Sequence, residues 1–397
     1  MTASGGGPRD LRLPTGRTAP GNYDLRPFVP SGVASECTSG WDAVTRAIHS
    51  TGARVVIVEC YPGVARGDVL RLAPPDTLLV DAADALLPPD EIRRLTQPFV
   101  TDDPVFGRMA RLGLRDLFDP TASMRLRERI ASHDGRVFVH GTGASMLCDE
   151  GLLVYAGLPR WEATLRQRRG ESSSLGLDDA GSRPGELYKR AFFVDWRVAD
   201  RHRKTLWDRV GFILDTTQPE RPKLLDARTY YRALAAAARR PLRVVPTFDP
   251  APWGGHWIQR VCDVGQDRDN IGWCFDCIPE ENSLLLGFGD ERFECPSIDL
   301  VFRHPRELLG EAVFGRFGDE FPIRFDFLDT IGGGNLSLQV HPLTAYIREK
   351  FGIPYTQDES YYLLDAEPHA SVLLGLRTGI DPDEMVRDLR AADQGRA

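Results

Sequence analysis

"RVVIVEC" (residues 54–60) confines the fold more than any other stretch of this chain. It is a short, continuous, β-branched run with no polar alternation, the mark of a strand buried on both faces. Such a strand needs cover on each side, and helices packed over a mainly parallel sheet supply it. "TLLVDAADAL" (77–86) begins in the same way, as do "RVFVHG" (136–141) and "LLVYAGL". Helical spacing fills the gaps between them. "SGWDAVTRAIHSTG" predicts a helix with Ser39 as N-cap and Gly52 as its stop. "FGRMARLGLRDLFD" (106–119) and "PTASMRLRERIASH" (120–133) predict two more, the second opened by Pro120. "PRWEATLRQRRG" and "DARTYYRALAAAARR" (226–240) complete the series. The alternation predicts an α/β domain with a mainly parallel sheet over residues 23–240.

From "PLRVVPTFDPAPWGGHW" onward the character changes. Short strands, glycines and prolines dominate residues 241–397, with helical spacing mainly in "HPLTAYIREKFG" and "DEMVRDLRAA". A second, mainly-β domain is expected there. Residues 1–22, rich in Gly, Pro, Thr and Arg, read as a flexible tail. The 397 residues leave room for two separate cores. A net charge of −8 with no Lys/Arg block speaks against a nucleic-acid partner. No stretch approaches the roughly 18 apolar residues of a membrane span. The N-terminus also lacks the apolar core of a secretory signal. Seven scattered cysteines, an odd number, argue against a disulfide framework, and the chain reads as cytoplasmic and reduced.

"GGGNLSLQVHP" (332–342) carries the sharpest chemistry. In a strand, residues two apart share a face, so Gln339 and His341 converge while Leu338 and Val340 point the other way. An amide oxygen and a neutral imidazole are donors for a divalent metal. Glu359, at the head of the expected strand "SYYLLDA", offers a third. This mixed set suits zinc and tolerates manganese, iron or cobalt. A Gln-x-His in a strand also serves as a hydrogen-bonded core pair, so the three residues alone leave both readings open.

The surrounding words add a resemblance. "PWGG" (252–255), "LSLQVHP" (336–342) and "DESYYLLDAEPHASVLLGLR" (358–377) occur in the order found in the class I mannose-6-phosphate isomerases. "FGDEFPIRFDFLDT" (317–330) resembles the Phe-Pro-rich strand that precedes the Gln-x-His strand in that family. The resemblance covers about residues 245–390 and implies a partial cupin (jelly-roll) domain over 241–397. It further implies zinc held by Gln339, His341 and Glu359, and interconversion of mannose 6-phosphate with fructose 6-phosphate. A phosphorylated hexose is then the expected partner, with Trp253 of the Trp-Gly-Gly word at its site. Arg348 and Lys350 are the cations that would replace two lysines of the family, whose positions hold Gln357 and the Leu343-Thr344 pair. Glu294 and Asp358 are candidates for the proton-shuttling base by residue type alone. The family's later His ligand has no counterpart before Ala397, and on the resemblance the chain is the front part of a longer cupin. Alternatives are a cupin that binds sugar or metal without turnover, in a regulatory role, and a bifunctional kinase–isomerase.

The α/β domain offers weaker signals. "VFVHGTGAS" (137–145) is a strand followed by a glycine turn, in which Gly141, Gly143 and Ser145 could present backbone N–H groups to a phosphate. "VECYPGVARGDV" (58–69) is a second such turn. Neither has the Gly-x4-Gly-Lys-Ser/Thr of a P-loop. The order of elements resembles nucleoside- or uridine-kinase-like domains, which makes a nucleotide the candidate partner, against a degenerate, structural domain. Asp102 and Asp103 read as a cap for a helix beginning at Pro104. Cys274 and Cys277 read as small core residues, and the basic "RQRRG" and "DWRVADRHRK" as solvated helix faces.

Overall fold

The 54–60 run serves two cores at once. A computed structural model, which describes residues 23–33 and 37–395, places it in the middle of five parallel strands. The expected tail, residues 1–22, lies outside the described residues. In chain order the first strands are β1 (Phe28–Pro30), β2 (Thr38–Ser39), β3 (Val55–Cys60), β4 (Leu78–Asp81) and β5 (Val137–Gly141). β6 (Leu152–Gly157), β7 (Val210–Asp215) and β8 (Lys223–Asp226) follow. β4, β5, β3, β6 and β7 lie side by side in that order, all parallel, and β8 and β2 add an antiparallel edge.

Side chains two apart on β3 share a face. Val56, Val58 and Cys60 pack with Trp41, Val44 and Ile48 of the helix Trp41–His49. Val55 and Ile57 pack on the other side with Ile92, Ala163, Trp196 and Tyr230. That is why the run shows no polar alternation. The chain leaves β3 for β4 on one side, and after β5 crosses back to β6 on the other. The carboxyl ends of β3 and β6 therefore send their connections apart, which makes this the topological switch point, the place where α/β sheets bind ligands.

The helix expected over 106–119 is not formed. Its backbone donors go elsewhere: Arg108 N to Phe99 O, Met109 N to Phe351 O and Ala110 N to Phe193 O, at 2.6–2.8 Å. Only a short 3-10 turn, Leu114–Leu117, remains. The spacing is amphipathic, but three neighbouring elements claim the N–H groups that a helix would need.

The core does not divide at residue 241. After β9 (Thr247–Asp249) and β10 (Trp273–Cys277), the hairpin of β11 (Ser283–Phe288) and β12 (Glu291–Pro296) returns to the α/β layer. β1 pairs with β11, parallel, and Leu284, Leu286, Phe293 and Leu300 join the same core as Val55 and Tyr230. Tyr230 donates to Asp299 at 2.5 Å. β13 (Phe325–Leu328) completes a separate antiparallel sheet in the order β13-β10-β9. The described residues fall into two compact units, one ending at Asp358 and the other beginning at Glu359.

The strands expected at 336–342 and over "SYYLLDA" are irregular chain. An extended segment becomes a strand only when a neighbour supplies ladder partners. Among the described residues none does so here. Val340, Leu343 and Tyr362 are at least three-quarters exposed. The helices Thr344–Phe351 and Pro382–Asp393 form as expected, the latter capped by Asp381. Among the described residues no helix is long and apolar enough to cross a membrane.

Candidate functional site

Glu59 is the polar residue of β3, on the face of Val55 and Ile57, and is 2% exposed. A carboxylate there must find donors. The turn after β5, the adjacent strand, supplies them. Gly143 N donates to Oε1 at 2.6 Å and Ser145 N to Oε2 at 2.8 Å. Gly143 takes φ 92°, and a Cβ on it would lie 2.3 Å from the Phe118 ring, so only glycine serves. His202 completes the cluster, with Nε2 2.9 Å from Ser145 Oγ and 3.5 Å from Glu59 Oε2. Two of the three residues foreseen for a phosphate thus spend their N–H groups on an internal carboxylate. The third, Gly141, closes β5 against Asp81.

The turn after β3 is filled as well. A Cβ on Gly63 would meet Ala163 Cβ at 3.0 Å, so the turn lies directly on the helix Arg160–Arg168. Its carbonyl accepts from Arg166 Nη1 at 3.0 Å, while Nη2 of the same guanidinium donates to Thr216 O at 2.6 Å. A phosphate cradle offers N–H groups. This turn offers a carbonyl to a cation.

The basic runs are solvated only in part: Arg168, Arg169 and Arg201 are exposed, whereas Arg166 and Arg203, and Arg160 just before them, are 2–4% exposed. Arg160 pairs with Asp200, donates to Tyr61 Oη at 3.2 Å and lies over the Trp196 ring. Arg203 is surrounded by the rings of Tyr61, Tyr155 and Trp207 and pairs with Asp299. Burial pushes the Tyr155 hydroxyl well above its ordinary pKa. At the end of β7, Asp215 is pushed up to about 6, first by burial and then by neighbouring Glu294. Glu294 itself accepts from Ser283 and Arg26 within this layer. Asp103 caps a turn rather than a helix, accepting from Val105 N and Phe106 N.

The words of the later region interlock. Gly255 N donates to Asp329 O, His256 N to Ile331 O and Gly334 N to Trp253 O, at 2.7–3.0 Å. The Asp329 side chain accepts from Ile258 N and Ile331 N. A Cβ on Gly255 would lie 2.4 Å from Asp329 Oδ1, which explains the second glycine of the word. Trp253 stands edge-on to Trp273, 5.1 Å between centroids, and Trp273 stacks on Phe275. Beyond this, Gln339 is exposed and donates to Ser337 Oγ. His341 Nδ1 is 3.1 Å from Gln357 O, and Thr356 Oγ1 donates to Pro342 O. Glu359 opens the second unit. Arg348 binds Pro354 O, and Lys350 pairs with Glu349. Among the described residues, no three His, Cys, Asp or Glu side chains are grouped to hold a metal. All seven cysteines are free thiols, Cys274 fully buried and Cys277 half-buried.

Fold and geometry define a mainly parallel α/β domain whose phosphate-type turns are satisfied by its own Glu59 and Arg166. The chain belongs to the family described as Domain of unknown function (DUF8485), which matches residues 40–239, half of its length. No curated protein matches the chain.

Proposed function

We propose that the chain serves metal-dependent aldose–ketose isomerisation of a phosphorylated hexose, as in the class I mannose-6-phosphate isomerases, with the β9, β10 and β13 sheet as part of a cupin. The observation that carries this reading is the hydrogen bond from His341 to Gln357 O. A carbonyl only accepts, so Nδ1 donates in this contact, the arrangement by which an outer carbonyl orients a metal-ligating imidazole. The donor set of amide, imidazole and carboxylate fits zinc. Gln339 and His341 supply two donors, and Glu359 is the third that the resemblance names. Bound zinc supplies Lewis-acid polarisation of sugar oxygens. The residues of the chain orient the ligand. Trp253 offers a half-buried ring, and Arg348 and Lys350 offer exposed cations to a phosphate. The α/β domain has a structural role in this reading.

The exposure of Gln339 favours a second reading, a cupin that binds sugar or metal without turnover. One experiment tests both. Zinc content after desalting and conversion of mannose 6-phosphate in a coupled assay are measured for the wild type, His341→Ala and Glu359→Gln. Zinc and conversion that both fall in the variants support the isomerase. Zinc that falls with no conversion in the wild type supports the binding cupin. Zinc content unchanged by either substitution overturns both.

A further inference from the structure

Near the switch point of β3 and β6 lies a small cleft beside the filled turn, lined by Gly63, Gln167, Ser172, Ser173, Asp195 and Trp196 among others. It has room for about one water-sized body. Two of its lining residues each carry a buried acceptor, Gln167 Oε1 and Asp195 Oδ1, that has no hydrogen-bond partner among the described residues. Both residues are more than nine-tenths buried. Asp195 ends a π-helical turn, Ala191–Asp195, a geometry that recurs at functional sites. Its other oxygen accepts from Leu175 N at 3.0 Å.

The charge around the cleft narrows the choice of ligand. Asp195 Oδ1 lies 3.5 Å from Arg190 Nε, beyond a good hydrogen bond but close enough to offset part of the charge. Burial pushes the Asp195 carboxyl up to about 6, so at neutral pH it is an anion with incomplete compensation. A divalent ion seeks more negative charge and more oxygens than one partly offset carboxylate and neutral donors provide. A monovalent ion also takes several oxygens, but its single charge is matched by one partly offset carboxylate with neutral oxygens around it.

We propose that this cleft binds a monovalent cation, potassium in the first instance, through Asp195 and Gln167. The site is independent of the proposed isomerase chemistry and lies in the α/β layer. A bound water is the competing occupant, and the choice of salt separates the two. The full chain is melted in potassium chloride and in choline chloride at equal ionic strength. Potassium near ten times its half-saturating concentration is expected to raise the midpoint by about 2 °C over choline. Asp195→Asn is expected to abolish the difference. Gln167→Glu, which adds charge at the same spot, is expected to lower the half-saturating potassium concentration several-fold, a gain that damaged folding would not imitate. Equal midpoints for the wild type in the two salts would overturn the proposal. So would a potassium response that survives Asp195→Asn, or an unchanged half-saturation in Gln167→Glu.

Discussion

Replacing Glu59 by Gln keeps the length and planarity of the side chain but turns one acceptor oxygen into a donor. Gly143 N and Ser145 N both point at that carboxylate, at 2.6 and 2.8 Å, so one of them must then face an NH2 group. The lost bond is charge-assisted and worth about 1.5–3 kcal/mol, and the stranded buried N–H adds about 1–3 kcal/mol. Relief of the buried charge returns part of this. The net loss should be about 3 kcal/mol, which corresponds to a midpoint lower by about 4 °C for a unit spanning Ala19–Asp358. Urea and thermal unfolding of the wild type and variant, followed by circular dichroism, measure it. Inorganic phosphate at millimolar concentration should leave the wild-type midpoint unchanged, because the turn already holds an anion. A variant within about 1 °C of the wild type would refute the reasoning, as would stabilisation of the wild type by phosphate.

Asp200→Ala should cost about 3–5 kcal/mol by leaving Arg160 charged and buried, whereas Arg160→Met with Asp200→Leu should recover most of it; unfolding midpoints of the two variants decide. A double variant no more stable than the single one would refute this. Asp215 titrates near 6 when folded, above the unfolded value of about 3.9, so the folded state binds the extra proton between those values. Its contribution is therefore full below about pH 4 and is lost as pH rises through 6. Measured against Asp215→Asn, the wild type should lose up to about 3 kcal/mol between pH 4 and pH 7, and a difference that stays constant with pH would refute it.

What could be read from the chain follows from how local each interaction is. β3, β5 and β6 were legible because burial on both faces writes itself into consecutive residues. The helix Pro120–Ala131 was legible because Pro120 begins it, with Asp119 as its cap. Residues 106–119 misled because amphipathic spacing says nothing of where the N–H groups go, and here they go to Phe99, Phe351 and Phe193. The same holds for Arg166 and Arg203: a charge run looks solvated unless its distant partners, Gly63 O and Asp299, are known. Glu59 did leave a signal, a carboxylate inside an otherwise apolar strand. Its partners lie beyond 140 in the sequence and become neighbours only through the pairing of β3 with β5. Asp195 left none, since nothing in "AFFVD" marks a π-helical turn. The alternation around Gln339 and His341 predicts a strand, and the structure gives the pattern without a ladder.

The pairing of β1 with β11 also sets the order in which the chain can complete itself. Phe28 leaves the ribosome well before its partner Leu285, which follows 257 positions later in the chain. Until then Val29, Tyr230 and the lower face of the α/β core lack the cover that Leu284, Phe293 and Leu300 provide. Closing a contact of such long range is slow and exposes apolar surface while it waits. A nascent chain that pauses between residues 240 and 285 therefore presents a nearly finished sheet with one wall open, the stage at which a chaperone has most to hold.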